Sequence, residues 1–418
     1  MRRGIRHRRP FKTAALAAWM LVWSLFTLSA GAQTYAVLYT FKGRADGASP
    51  ADTVVRGSRG KLYGATYQGG SFRYGVIFRI GPDGKEKVLH NFIGADGQNP
   101  NSSLLWDSSG NFYGTTARGG TPEGGKCEHG CGAVYRWSKD GNLTVLHGFN
   151  GGADGAVPGG TGRLAMDSAG NFYGTTQGGG KYNLGTVFKI DKHGTKTVLH
   201  DFSNQRDGSI PWGGVILDAE GNLYGTTQYG GNETCDCGTV FKIDKDGNET
   251  LLYKFKGAPD GMNPYSWLVR DSSGNLYGTT LWGGDSDCGY GQGCGIVFKL
   301  DKNKKETILH TFTGAPDGQW PVAGLARDAR GNIYGSTQSG GVAGVCLGGC
   351  GTVFKIDPSG AETILYAFSG GADGNTPNGV ILGGGGNIYG TTFGGGDPDW
   401  CGWNYQGCGV VFKIIGAH

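Results

Sequence analysis

The tetrapeptide Tyr-Gly-Thr-Thr, or a near copy, begins at Tyr63, Tyr113, Tyr173, Tyr224, Tyr277, Tyr334 and Tyr389. A Gly-Gly pair lies six residues after each Tyr, as at Gly69-Gly70 and Gly283-Gly284. Past a loop of variable length comes Val-Phe-Lys or a close relative, from Ile77-Phe78-Arg79 to Val411-Phe412-Lys413. A period of about 50 residues restricts a chain to a propeller, a solenoid or an array.

Each unit reads as four short strands. In the fifth, 264–269, 275–280, 296–300 and 306–312 are rich in branched and aromatic residues, with Gly, Asp and Asn between them. Glycine, 84 of 418 residues, leaves no long 3.6-period stretch after the N-terminus. Aromatic residues recur at fixed places in every unit, so the glycine content does not signal disorder. The expected fold is all-β, a seven-bladed β-propeller of four-stranded blades. The fourth-strand pattern occurs six times from Val88–Phe92 to Ile364–Phe368, and once more at Val37–Phe41, ahead of the first complete unit. The last unit stops after its third strand. Pairing the N-terminal strand into the last blade would remove two unprotected edges. The blades are expected at about 48–92, 98–149, 156–202, 209–255, 262–312, 319–368 and 375–414 plus 35–41, forming one domain over 33–418.

Residues 1–32 read as a secretory signal peptide. Arg2, Arg3, Arg6, Arg8, Arg9 and Lys12 form a basic front, Ala14 to Leu28 an apolar run, and Ala30-Gly31-Ala32 a small-residue cleavage site. The run is short for a membrane span, which takes roughly 20 residues, so no stable span is expected in the mature chain. Arg8-Arg9-Pro10-Phe11-Lys12 faintly resembles a twin-arginine export signal, though an ordinary basic front is the simpler reading. Removing these six charges leaves 32 basic residues against 34 acids, near −2 in place of +4. No basic stripe remains to follow a phosphate backbone, so nucleic acid is not an expected partner. The expected location is secreted, periplasmic or in the cell envelope.

Ten cysteines fall into five pairs, all in the loop between Gly-Gly and the third strand: Cys127/Cys131, Cys235/Cys237, Cys288/Cys294, Cys346/Cys350 and Cys401/Cys408. An even count in an exported chain favours local disulfides. Cys235-Asp236-Cys237 would close the tightest ring. No His accompanies the pairs systematically, which argues against a metal.

Gly-Asn-Leu-Tyr-Gly-Thr-Thr (274–280), followed by Gly-Gly and Gly-x-Val-Phe-Lys (295–299), resembles the GloVer tandem repeat of exported bacterial proteins. The likeness covers nearly the whole mature chain. It implies export and a repeat architecture, and carries no activity, substrate or catalytic residue. The chain departs from surface-anchored members by ending at His418 without an apolar tail. A looser likeness to NHL-type repeats supports the blade reading only.

Residues present in all units serve the fold first. The aspartates Asp46, Asp96, Asp154, Asp207, Asp260, Asp317 and Asp373 each precede Gly and stand four residues before a Pro. They are expected to accept backbone N–H bonds in the links between blades, with a carboxylate ring around the channel mouth as the alternative. His90, His147, His200 and His310 share a fourth-strand position with Tyr39, Tyr253 and Tyr366 and read as sheet residues. Asp107, Asp167, Asp218, Asp271 and Asp328 belong to hairpin turns.

Function should lie where the units differ. The links carry Trp212, Tyr265, Trp267 and Trp320 at or beside the repeated Pro. The variable loops carry Phe72, Tyr74, Tyr182, Tyr290, Trp400, Trp403 and Tyr405, together with Glu233, Asp236, Asp285, Asp287, Asp397 and Asp399. Both sets project from one face of a meander propeller, and aromatics beside acids suit sugars or cationic groups. The expected ligand set is Trp212, Tyr265, Trp267, Trp320, Trp400, Trp403 and Tyr405. Loop packing is the competing role for each ring. No cofactor is expected. Asp285-Ser286-Asp287 offers a spacing suited to a calcium ion. Two function classes fit: a non-catalytic recognition or scaffold propeller for a glycan, peptide or envelope protein, and a lyase, hydrolase or lactonase using channel-mouth carboxylates. No Gly-x-Ser-x-Gly or His-Glu-x-x-His motif appears, which favours the first.

Overall fold

A computed structural model describes residues 1, 33–120, 125–160, 162–204, 206–231, 234–342, 346–397, 401 and 407–417, except for the side chain of Tyr290. Seven antiparallel sheets form a seven-bladed propeller. In blade 1 the strands after the split inner one are Leu62–Gln68, Val76–Ile80 and Glu86–Asn91. Blade 7 takes its first three strands, Asn375–Leu382, Ile388–Gly394 and Val410–Ile415, from the end of the chain. Its outer strand is Thr34–Thr40, with Tyr35 opposite Ile414 and Val37 opposite Phe412. The ring is closed by its N-terminal strand. Among the described residues no helix is long and apolar enough to cross a membrane.

The inner strand differs from the continuous run expected. In the fifth blade it is two pieces, Gly261–Pro264 and Val269–Arg270. In blade 7 the strand stays continuous through Pro377, with a register shift between Pro377 and Gly379. The repeated Pro disturbs the ladder in both cases: it lacks an N–H and disfavours the α region for the residue before it. That preceding residue takes left-handed backbone in all seven blades, at Ser49, Asn99, Val157, Ile210, Asn263, Trp320 and Thr376, with φ of 52–62°. Such strain at non-glycine residues needs compensation. Each of these N–H groups donates across to the preceding blade. The acceptors are the carbonyls of Cys408, Tyr74, Cys131, Leu184, Cys237, Cys294 and Cys350, at 2.8–3.0 Å. Five of the seven acceptors are thus the second cysteine of a local disulfide, and all five bonds are formed, Cys235–Cys237 included. The disulfide loops therefore hold the groups that tie one blade to the next.

The two signature motifs meet in the core. The Gly of Tyr-Gly-Thr-Thr pairs with the aromatic residue of Val-Phe-Lys, for example Gly278 with Phe298 and Gly64 with Phe78. A Cβ on any of the seven would sit 2.4–2.7 Å from that ring. The ring then meets, edge to face, the Phe that ends the previous outer strand. The pairs run from Phe41–Phe78 to Phe368–Phe412, with centroids 5.0–5.4 Å apart. The last Thr of the motif is buried, and its hydroxyl donates to the carbonyl two residues on at 2.7–3.0 Å in every blade. The motif Tyr bonds the hairpin aspartate where one is present, as Tyr113 to Asp107 at 2.8 Å. These residues are structural.

Replacing Gly278 by Ala should push the Phe298 ring out of its seat and destabilise the protein by about 1–3 kcal/mol. Gly178, whose Cβ would meet nothing within 4 Å, is the control, and Gly178→Ala should stay within about 0.5 kcal/mol. Urea unfolding of the two variants checks the difference; equal midpoints would exclude the Gly–ring contact as a determinant of the core.

Candidate binding site at the channel mouth

Two repeat positions converge on the axis at the loop-bearing face. One is the residue after the repeated Pro: Ala51, Asn101, Trp212, Tyr265 and Asn378. The other is the fourth residue after the motif Tyr: Tyr67, Ala117, Gln177, Gln338 and Phe393. Together they line a funnel of about 530 Å³ to which all seven blades contribute. Blade 2 adds Arg118 and the loop Cys127–Gly130, including Glu128 and His129. A neighbouring cavity of about 670 Å³ shares Arg118, His129 and Phe393 and adds Arg73 and Tyr74.

Part of the wall is committed to the fold. Asn101 Nδ2 donates to the Pro158 carbonyl at 3.0 Å and Asn378 Nδ2 to the Pro50 carbonyl at 2.8 Å, each crossing to the next blade. Trp212 and Tyr265 stack, with centroids 4.7 Å apart and planes 30° from parallel. Trp212 Nε1 is buried without a hydrogen-bond partner, next to Gly160 in the funnel wall, where a Cβ would lie 3.1 Å from it. Gln177 donates to the Gly159 carbonyl. Rings beside amides form a surface for a polar ligand with flat apolar faces.

Further along the inner strands lies a carboxyl that sequence reading missed. Asp52 is 4% exposed, and its Oδ1 accepts the Thr53 N–H at 2.6 Å. Ser103 stands against the same carboxyl, close enough to pull on its charge though outside good hydrogen-bond geometry, and Thr53 Oγ1 is buried beside it. Burial pushes the Asp52 carboxyl up to about 7, against the pull of bonds from Thr53 and Ser103 and the charge of Arg163. Asp52 belongs to blade 1 and Arg163 to blade 3, so they influence one another between blades that are not adjacent in the chain. Arg163 is exposed to solvent, and the protein around it lowers its own pKa. The missed signal was an acid two residues after the repeated Pro in one blade only.

The expected ligand residues separate. Trp212 and Tyr265 stand together in the funnel. Trp267, two residues further along its strand than Tyr265, is 7% exposed, and its ring occupies the space a side chain on Gly324 of the next blade would need. Trp320 lies edge-on to Trp282 at 5.4 Å, with its Nε1 buried. Trp267 thus packs between blades, and Trp320 is half-buried and does not line the funnel. Trp400, Trp403 and Tyr405 lie outside the described residues, as do Glu233 and Asp399. Phe72 and Tyr182 are exposed on loops away from the funnel. Asp285 Oδ1 accepts the Asp287 N–H at 3.0 Å, and among the described residues no third carboxylate or imidazole joins them, so the calcium spacing has no completed ligand set.

The link aspartates do not ring the channel mouth. Each turns to the outer strand and binds its His or Tyr, as His90 Nε2 to Asp96 at 2.7 Å and Tyr253 to Asp260 at 3.0 Å. Each also accepts a backbone N–H, as from Lys42 to Asp46 and from Thr313 to Asp317. In four junctions a half-buried glutamate faces the aspartate: burial first and Asp46 second push Glu86 up to about 7, burial and Asp260 do the same for Glu306 against Lys256, and burial raises Glu249 and Glu362 beside Asp207 and Asp317.

The profile of the Gloeobacter/Verrucomicrobia repeat matches residues 24–127, 123–291 and 288–417. No curated protein matches the chain. Among solved structures, a puromycin hydrolase S511A mutant aligns with 12% identity over 83% of this chain and 50% of its own, with a TM-score of 0.53. A gluconolactonase from Xanthomonas campestris aligns with 15% identity over 73% and 86%, at TM-score 0.42. A luciferin-regenerating enzyme aligns with 12% identity over 92% and 95%, at TM-score 0.43. At these identities the likeness is one of fold.

Asp52, Glu86 and Glu306 share one direction of shift, which fixes the sign of their pH effect. A carboxyl whose folded pKa is raised contributes stability below its unfolded pKa and loses it as pH climbs through the folded value. The unfolding midpoint should therefore fall between about pH 4 and about pH 7. The variant Asp52→Asn/Glu86→Gln/Glu306→Gln should flatten that fall. Thermal unfolding across the range tests this; a parent midpoint that rises with pH would contradict it.

Proposed function

We propose that this chain, a member of the Gloeobacter/Verrucomicrobia repeat family, is an exported recognition propeller that binds a saccharide at its channel mouth. The observation that carries the reading is where the units differ. At the third residue after the motif Tyr every blade has Thr; one residue on, the blades have Tyr67, Ala117, Gln177, Gln228, Leu281, Gln338 and Phe393. The invariant position is buried and hydrogen-bonded, whereas five of the seven variable ones face the funnel. An asymmetric ligand needs unequal contacts from an otherwise symmetric ring. Rings with amides offer stacking to the apolar face of a sugar and hydrogen bonds to its hydroxyls. Export is supported by the basic front and apolar run of residues 1–32 and by five disulfides, which persist in oxidising compartments.

A second reading rests on Asp52. A buried carboxyl with a pKa near neutrality is suited to general acid–base chemistry. In that case the protein would be a propeller enzyme acting on the same ligand.

Tryptophan fluorescence titrated with oligosaccharides and cell-wall fragments tests the first reading. Loss of an aromatic contact is worth roughly 0.5–2 kcal/mol, so Trp212→Ala/Tyr265→Ala should weaken binding by about tenfold or more. Trp320→Phe, outside the funnel, should leave it unchanged. Binding retained in the double variant would move the site elsewhere. Product release from a bound saccharide that disappears in Asp52→Asn would select the enzyme.

A further inference from the structure

The seven blade junctions share a three-position frame filled unequally. Its members are the His or Tyr near the end of one outer strand, the link aspartate, and the first residue of the next outer strand or its equivalent. At the second junction these are His147, Asp154 and Lys196. The Lys196 Nζ lies 3.1 Å from Asp154 Oδ1, also bonds the Asp154 carbonyl oxygen, and sits over the Phe149 ring at 5.4 Å. The lysine side chain is only 5% exposed. This junction is built around one enclosed positive charge.

At four other junctions the third residue is Glu86, Glu249, Glu306 or Glu362, and in each the Oε1 is buried without a partner. Two of these frames have His as the ring residue: His200–Asp207–Glu249 and His310–Asp317–Glu362. In the second, one ligand atom from each residue comes within 4.8 Å of the others. His310 Nε2 and Asp317 Oδ1 are 3.2 Å apart, and both side chains retain some exposure, 18% and 15%, as an entry path requires.

We infer that the His310–Asp317–Glu362 junction is a divalent transition-metal site of the zinc class, in which the ion takes the place that the Lys196 ammonium holds at the second junction. Beyond the clustering of acids, the repeat itself points to a cation, because it puts an ammonium in the equivalent space at the second junction. Glu362 is half-buried and keeps its Oε1 buried without a partner, as the glutamates of the other three junctions do; only here, among the described residues, do a histidine, an aspartate and a glutamate bring ligand atoms within 4.8 Å of one another. One imidazole with two carboxylates suits zinc or cobalt better than the all-oxygen preference of calcium. The ion would neutralise facing carboxylates and clamp blade 5 to blade 6. The inference does not depend on what the channel mouth binds.

The test uses the whole mature chain, stripped with EDTA and dialysed, and titrated with zinc by calorimetry and with cobalt by visible absorption. The expected result is one tight equivalent per chain and a rise in the unfolding midpoint. Glu362→Gln and His310→Gln should each weaken uptake by about tenfold or more. Glu362→Lys copies the second junction; it should raise the metal-free midpoint and abolish the response to zinc. Absence of stoichiometric uptake would overturn the assignment, as would uptake unchanged in Glu362→Gln. A Glu362→Lys protein that folds but still binds zinc as the parent does would overturn it too.

Discussion

Seven edge-to-face aromatic contacts hold the ring. In each, the Phe that ends one outer strand meets the Phe or Tyr at the centre of the next blade, and planes cross at 63–71°. The contact spans two repeats, so no blade completes its core alone, and closure by Thr34–Thr40 is needed to supply Phe41 to Phe78. The glycine of Tyr-Gly-Thr-Thr exists to let the ring lie flat on the sheet. Core and closure thus follow from one packing rule applied seven times.

Nearer the axis a second set of contacts takes over. The residue before each repeated Pro is turned into the left-handed region and donates its N–H to the loop of the preceding blade. The strain is local and the hydrogen bond is between blades, so the geometry persists only in the assembled ring. Most of the accepting loops are cross-linked by a disulfide. The rim that carries the variable residues is consequently stiff, which favours presenting rings such as Trp212 and Tyr265 without an ordering penalty on binding.

How much of the site was legible depended on single positions. Trp212, Trp267 and Trp320 all lie near the repeated Pro, and the sequence offers no reason to separate them. They stand one after, three after and one before it. The inner strand is broken or shifts register just after the Pro, so simple alternation no longer gives the direction of a side chain. Trp212 faces the funnel, Trp267 enters the next blade and Trp320 meets Trp282. The variable residue after Thr-Thr, exemplified by Tyr67 and Phe393, was equally readable as an inequality among repeats, but its place on the axis was not.

Blade number, strand order, the closing strand and the pairing of cysteines were all determined by the sequence, because each rests on contacts within a unit or on a period that local residues repeat. The separation of functional from structural residues was decided only in the tertiary structure. Asp52 and Arg163 influence one another from blades 1 and 3, and His310 and Glu362 share a junction although they belong to different repeats. Such meetings depend on the radius and twist of the closed ring. Those are collective properties of seven packed sheets, and no single repeat encodes them.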